Sequence, residues 1–135
     1  MNFVSTRIIT DDIKRLVRFY ERLGLTATWH TDDFAEISTP IATLAIGSTR
    51  TMTLFAAGAA VGGQNRSVII EFQVADVDVV YEDLKSEVSE FVQQPTTQPW
   101  GNRSVLVRDP DGNLVNLFTP VTAEAMAKYQ RGVER

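Results

Sequence analysis

Apolar residues recur along this chain with two different periods, and the switches between them mark its elements. From Asp12 onward, Ile13, Leu16, Val17, Tyr20 and Leu23 are spaced by three and four, which gathers them on one face of a helix. Asp11 or Asp12 supplies an N-cap oxygen, and Gly24 stands where a left-handed C-terminal residue is favoured. Residues 3–9, ahead of the helix, read as a strand. Behind it come four short strand-like runs, residues 25–31, 34–38, 41–46 and 51–56. One compact unit has little room for four, so two are expected to merge or one to be irregular.

Residues 57–66, AGAAVGGQNR, carry three glycines and no periodicity, the composition of a flexible linker. The pattern then restarts. Residues 67–74 read as a strand, and a second amphipathic helix begins near Asp76 with Val77, Val80, Tyr81, Leu84 and Val88 at helical spacing. Strand-like runs follow at 90–94, 102–109 and 113–120. The last two are separated by Asp109-Pro110-Asp111-Gly112, a sequence that predicts a hairpin turn. Residues 122–129 form a short helical pattern.

The two halves match. Adding 64 to a first-half number takes Asp12 to Asp76, Ile13 to Val77, Leu16 to Val80, Val17 to Tyr81 and Tyr20 to Leu84, alike in type at every pair. The shared order of strand, helix and three strands makes duplication the better explanation. The expected organisation is one domain over 1–120, with modules 1–57 and 67–120 joined by the linker 58–66. A tail, 121–135, holds the short helix.

Composition narrows the chemistry. The chain of 135 residues has no cysteine and a single histidine, His30. Cys-rich zinc sites, iron–sulfur clusters and thiol nucleophiles are excluded, as is any intrachain site that needs two imidazoles. A net charge of −4 with scattered Lys and Arg argues against nucleic acid as partner. No apolar run approaches the roughly 20 residues of a membrane helix, and no signal pattern opens the chain, so a soluble cytoplasmic protein is expected.

Four motifs carry a family resemblance: FYERLGL (19–25), VADVD (74–78), QPWGNR (98–103) and DPDGNLVNLF (109–118). With them the chain resembles the vicinal oxygen chelate superfamily, which includes glyoxalase I, extradiol dioxygenases and bleomycin-resistance proteins. PWG followed by DPDGN is most similar to the bleomycin-resistance-like branch. The resemblance implies an α+β fold of two βαβββ modules curled into an open, cup-like half barrel, paired across a homodimer. It also implies, for many members, a divalent metal held by four side chains from the first and last strands of the two modules. Carried over residue by residue, those positions fall on Ser5, Thr53, Ile69 and Asn116. Isoleucine has no donor atom, and neutral hydroxyl and amide oxygens are weak ligands for zinc, nickel or iron. Neither a metal nor another cofactor is therefore expected.

With Ser5 facing into the cup, strand alternation turns Arg7 and Ile9 inward, together with Ile69, Glu71 and Gln73. Thr51, Thr53 and Phe55 face in from the fourth strand, and Leu114, Asn116 and Phe118 from the eighth. Arg7 and Glu71 are equivalent under the offset of 64, and two readings stand: an ion pair between modules, or a polar anchor for a ligand. Glu71 as a general base is the weaker of its roles, because a neighbouring arginine opposes the raised pKa that a base needs. Trp29, Phe34, Phe55, Trp100 and Phe118 are the aromatic candidates for a cleft wall, with Trp100 foremost in its Pro/Gly-flanked loop. Arg103 meets an anionic ligand group or pairs with an acid. His30, beside Trp29 at a strand end, reads as a surface or packing residue. The ligand-binding candidates are thus Arg7, Trp29, Phe34, Thr53, Phe55, Glu71, Trp100, Arg103, Asn116 and Phe118.

The function expected from this reading is metal-free binding of a small molecule, of the kind that sequesters an antibiotic or an aromatic metabolite. The alternatives are a glyoxalase-like lyase, isomerase or dioxygenase, working with a divalent metal or with Glu71 as base, and a fold retained for protein–protein contact. The acidic balance weakly favours a cationic ligand at long range.

Overall fold

The computed structural model describes residues 1–133. The chain divides into two compact units. The first takes Met1–Asn65 with Pro110–Gly112, and the second takes Arg66–Asp109 with the chain from Asn113 onward. The 109–112 turn is divided between them, its tip belonging to the first unit. Its Asp111 Oδ1 and Pro110 carbonyl both accept from Arg15 Nη2 at 3.3 Å.

The first unit runs β1 (Ser5–Thr10), α1 (Ile13–Arg22), β2 (Ala27–Thr31), β3 (Phe34–Ser38) and β4 (Thr43–Ser48), followed by a 3-10 helix, Thr49–Leu54. Asp12 is the N-cap of α1, its carboxylate accepting from Arg15 N–H at 3.1 Å. Gly24, with φ +93°, follows the C-cap Leu23, as the pattern predicts. The apolar stripe of α1 is buried through Ile13, Leu16, Val17 and Tyr20, and α1 packs on β4. Burying such side chains contributes about 1.5–3 kcal/mol each.

The strand order is β1-β4-β3-β2, with β1 parallel to β4 and the other pairs antiparallel. Alternation and register gather Ala35, Ile37, Leu44 and Ile46 on the face that meets α1, and all four are buried. Arg7, Ala45, Glu36 and Thr28 form one row on the opposite face.

The second unit repeats the plan: β5 (Ile69–Gln73), α2 (Val77–Leu84), β6 (Gln93–Thr97), β7 (Asn102–Arg108) and β8 (Leu114–Pro120), then α3 (Ala123–Val133). The strand order is β5-β8-β7-β6 with the same parallel and antiparallel pattern. Asp76 caps α2 by accepting from Asp78 and Val79 N–H. Val105, Val107, Val115 and Leu117 are the buried row beneath α2, and Glu71, Asn116, Leu106 and Gln93 form a row on the other face. The α+β fold of two βαβββ modules is thus present, as two four-stranded mixed sheets.

Three expectations need correction. Residues 51–56 are not a strand: β4 ends at Ser48, and Thr49–Leu54 winds into the 3-10 helix. Thr51 Oγ1 donates to the Ser48 carbonyl and Thr53 Oγ1 to the Arg50 carbonyl, bonds between neighbours three apart that favour a tight turn over a ladder. Thr51, Thr53 and Phe55 therefore do not face in from the fourth strand. Nor is the stretch 58–66 only a spacer, since Gly62 lies against the chain after β1: a Cβ added there would stand 3.1 Å from Thr10 Cα and Asp11 N, a tight contact. The run expected at 90–94 begins as a strand only at Gln93 and continues to Thr97. The helical pattern expected over 122–129 is a helix from Ala123 to Val133; positions 134–135 of the tail lie outside the described residues.

Candidate functional site

The open face of the first sheet gathers a cluster around Phe34. Arg7, from β1, places its Cζ 4.7 Å from the Phe34 ring centroid and 5.3 Å from that of Phe55. These are cation–π distances. His30 stacks on the same Phe34 ring, 5.6 Å between centroids, and its Nε2 lies 2.7 Å from Glu36 Oε1. The sequence Phe55, Arg7, Phe34, His30, Glu36 is thus one continuous set of contacts.

Local structure holds it in place. The ladder between β2 and β3 shifts register between Trp29 and Thr31, so His30 sits at a bulge. Alternation puts His30 on the same face as Thr28, whose partner is Glu36, and the imidazole reaches that carboxylate diagonally. Phe55 follows the 3-10 helix, its N–H donating to Met52 O. That helix is tied to the β2–β3 turn by Asp33. Asp33 Oδ1 accepts from Arg50 Nε at 2.9 Å, Arg50 Nη2 at 2.6 Å and Ser48 Oγ at 2.8 Å. The Arg50 hydrogen bonds, helped by Ser48, hold the Asp33 carboxyl below its ordinary pKa of 3.8. The residue next to Asp33 is Phe34, so this tie fixes both aromatic neighbours of Arg7.

On the second sheet, Asn116 Nδ2 donates to Glu71 Oε2 at 2.7 Å, across the parallel β5–β8 pair. Asn116 Oδ1 is buried without a hydrogen-bond partner among the described residues. Gln93 and Leu106 continue the row.

The other predicted site residues lie elsewhere. Trp29 is opposite Ala35, hence on the face of the first sheet away from Arg7 and Phe34. Phe118 is 5% exposed, its ring 4.9 Å from that of Tyr129 on α3. Trp100 is exposed at the tip of the β6–β7 turn, and Gly101 closes that turn with a φ of +94°. Arg103 pairs with Asp78, through Nε at 2.9 Å and Nη2 at 3.0 Å, and donates to Thr97. That pairing, mainly the hydrogen bonds, lowers the Asp78 pKa. Thr53 is exposed on the 3-10 helix. Of the ten candidates, the first sheet brings together Arg7, Phe34 and Phe55, and the second Glu71 and Asn116. His30 and Glu36 were absent from the candidate list; the signal available was their shared face under period-two alternation across a short hairpin.

The fold permits a test of the metal positions. Arg7 and Glu71 are equivalent, and their parallel partners are Ala45 and Asn116. The last-strand position of the first module is therefore filled by Ala45 and not by Thr53. Ser5, Ala45, Ile69 and Asn116 offer a hydroxyl and an amide at most, which does not fit a divalent transition metal. Among the described residues no group of three or more His, Asp or Glu is placed to hold one. No helix among the described residues is long and apolar enough to cross a membrane.

Comparison with known proteins agrees with this architecture. Residues 2–117 match the family model described as Glyoxalase/Bleomycin resistance protein/Dioxygenase superfamily. The uncharacterized protein YraH of Bacillus subtilis (strain 168) is 27% identical over 130 residues, spanning 87% of this chain and 98% of that protein. A crystal structure of a protein of unknown function from Agrobacterium tumefaciens str. C58 superposes with a TM-score of 0.76 at 27% identity, covering 88% of this chain and 94% of the other. A glyoxalase/bleomycin resistance protein/dioxygenase from Nocardioides gives a TM-score of 0.73 at 22% identity, over 91% and 85% of the two chains, a likeness of fold.

Proposed function

Because the chain belongs to the glyoxalase/bleomycin resistance protein/dioxygenase superfamily, yet carries Ser5, Ala45, Ile69 and Asn116 where the metal donors of such a fold would stand, we propose that it is a metal-free small-molecule binding protein. The observation that carries this reading is the Arg7 cluster: a cation held between two aromatic rings on an open sheet face. Flat rings around a fixed polar group are what a site for an amphipathic or planar ligand needs. Sequestration of an antibiotic or aromatic metabolite, in the manner of the bleomycin-resistance-like branch, is the role that fits. In this reading the protein is cytoplasmic and acts as a homodimer.

A thermal-shift screen over aromatic acids, quinones and cationic glycopeptides tests the proposal. A ligand at 100 times its Kd stabilises the folded state by about 2.7 kcal/mol, a shift readily measured. Absence of any shift across the panel at saturating concentrations sinks it.

A second reading, a metal-independent enzyme, draws on the His30–Glu36 pair, 2.7 Å apart beside Phe34, since an imidazole next to a carboxylate is suited to proton transfer. Glu71, the base weighed from the sequence, already accepts from Asn116. Mass spectrometry of a captured ligand after prolonged incubation distinguishes the readings. Chemical change that disappears in His30→Gln supports the enzyme.

A further inference from the structure

We propose that the Arg7 cluster is an anchor for a monoanion, and that the ligand is a carboxylate carried on a flat or apolar body; this rests on the small-molecule reading above. Arg7 is set apart by its surroundings. Among the described residues it joins no ion pair and donates no hydrogen bond, and its contacts are the rings of Phe34 and Phe55. The aromatic faces steady the guanidinium but give its N–H groups no oxygen. Arg15, Arg50 and Arg103, by contrast, each engage an aspartate at 3.3 Å or less.

The acid that would naturally satisfy Arg7 is otherwise occupied. Glu36 lies on the same row, one strand beyond Ala45, and its carboxylate is engaged by His30. The row therefore holds an acid beside His30 and, two strands away, a cation with no acid beside it. A planar guanidinium with free N–H groups suits a carboxylate, which it can grip through two parallel hydrogen bonds. A phosphate dianion brings a second negative charge, and no second Lys or Arg joins Arg7 among the contacts of this cluster. The rings dictate the rest of the ligand, because a group bound to Arg7 must lie against Phe34 or Phe55.

The chain's net charge of −4 opposes an anion at long range. That field is screened over a Debye length of about 8 Å at physiological ionic strength, whereas the guanidinium acts at contact. The local cation therefore decides the sign of the ligand, against the weak preference for a cation that net charge alone suggests.

The test uses the full chain and a panel of aryl and medium-chain carboxylates, each beside its carboxamide and its amine analogue. Binding is read by heteronuclear NMR titration and calorimetry. Carboxylates are expected to bind better than their amides by about tenfold, shifting resonances of Arg7, Phe34 and Phe55 first. Arg7→Gln is expected to bring carboxylate affinity down to that of the matching amide, with a melting curve confirming that the variant is folded. Arg7→Lys restores the preference in part, keeping charge without the planar fork. If amides or amines bind as well as the acids, or Arg7→Gln leaves the preference intact, the anion anchor is overturned and small-molecule binding stands. If no member of the panel binds, and the wider screen is also empty, both fall.

Discussion

Asp33 illustrates what one carboxylate does at the rim of the candidate site. It gathers Arg50 and Ser48 and so fixes the 3-10 helix to the β2–β3 turn, next to Phe34. Its folded pKa is depressed below the ordinary 3.8, chiefly by the Arg50 hydrogen bonds. A depressed carboxylate pKa stabilises the folded state fully above the unfolded value and loses that effect as pH falls through the folded one. Asp33→Asn should accordingly lower the melting temperature at pH 6, and the gap from wild type should close below pH 3.8. Melting curves collected from pH 6 downward check this, and a gap independent of pH would show that the tie is not electrostatic. Asp78, held down by Arg103, follows the same sign. Neither side-chain partnership was legible in the sequence. Arg50 and Arg103 each have several acids within reach of a flexible side chain, and only the folded backbone selects one. The face that Arg7 takes was legible because alternation from Ser5 sets it, but its seat on two aromatic rings was not.

Among the elements, the short ones were hardest to place. The alternation of residues 51–54 is compatible with a strand; what excludes one is that β4 already occupies the place beside β1, from Thr43 to Ser48, together with the Thr51 and Thr53 hydroxyl bonds that tighten the turn. The helix starts were read closely, because Asp12 and Asp76 are caps whose effect is local, whereas α2 ends at Leu84, short of the Val88 that the spacing included. The PWG turn shows both kinds of constraint. Gly101 has a φ of +94°, and a Cβ there would collide with Thr122 Oγ1 and lie 3.1 Å from the Ala125 Cβ. The glycine thus lets the start of α3 dock on the β6–β7 turn, where Val121 N–H donates to the Gly101 carbonyl at 2.8 Å. Gly24 has nearly the same φ, +93°, with no atom near its added Cβ. Gly24→Ala should cost about 1–2 kcal/mol, the conformational strain alone, and Gly101→Ala about 2–4, strain plus clash. Denaturant unfolding of the two variants measures the difference. Equal losses would show that α3 yields without penalty.

For the whole molecule, duplication is the organising fact. Each unit carries its own four-stranded sheet in the same strand order, with Asp-capped helices offset by 64 residues and the equivalent pair Arg7 and Glu71. The last strand of each unit presents Ala45 and Asn116 at matching positions, which leaves a fold of the glyoxalase type without a chelating set. Protein purified without added metal should hold well under one equivalent of zinc, nickel, iron or manganese. A chelator should leave its melting temperature unchanged, whereas a bound ion would lend stability that chelation removes. Elemental analysis and a melt in EDTA settle the point. Stoichiometric metal would mean that donors outside the usual positions have been recruited.

What the sequence determined by itself was the helices α1 and α2, the order of most strands, the helix caps and the two faces of the sheets, together with the family. All of these follow from periodicity and short motifs, which act within a few residues. The tertiary structure alone decided which residue stands beside Arg7, that a bulge turns His30 toward Glu36, that Trp29 faces away, and that Phe118 is buried beneath Tyr129. Each of those depends on strand register or on a choice among competing partners distant along the chain. Such choices are made by packing the whole unit, and no local pattern carries them.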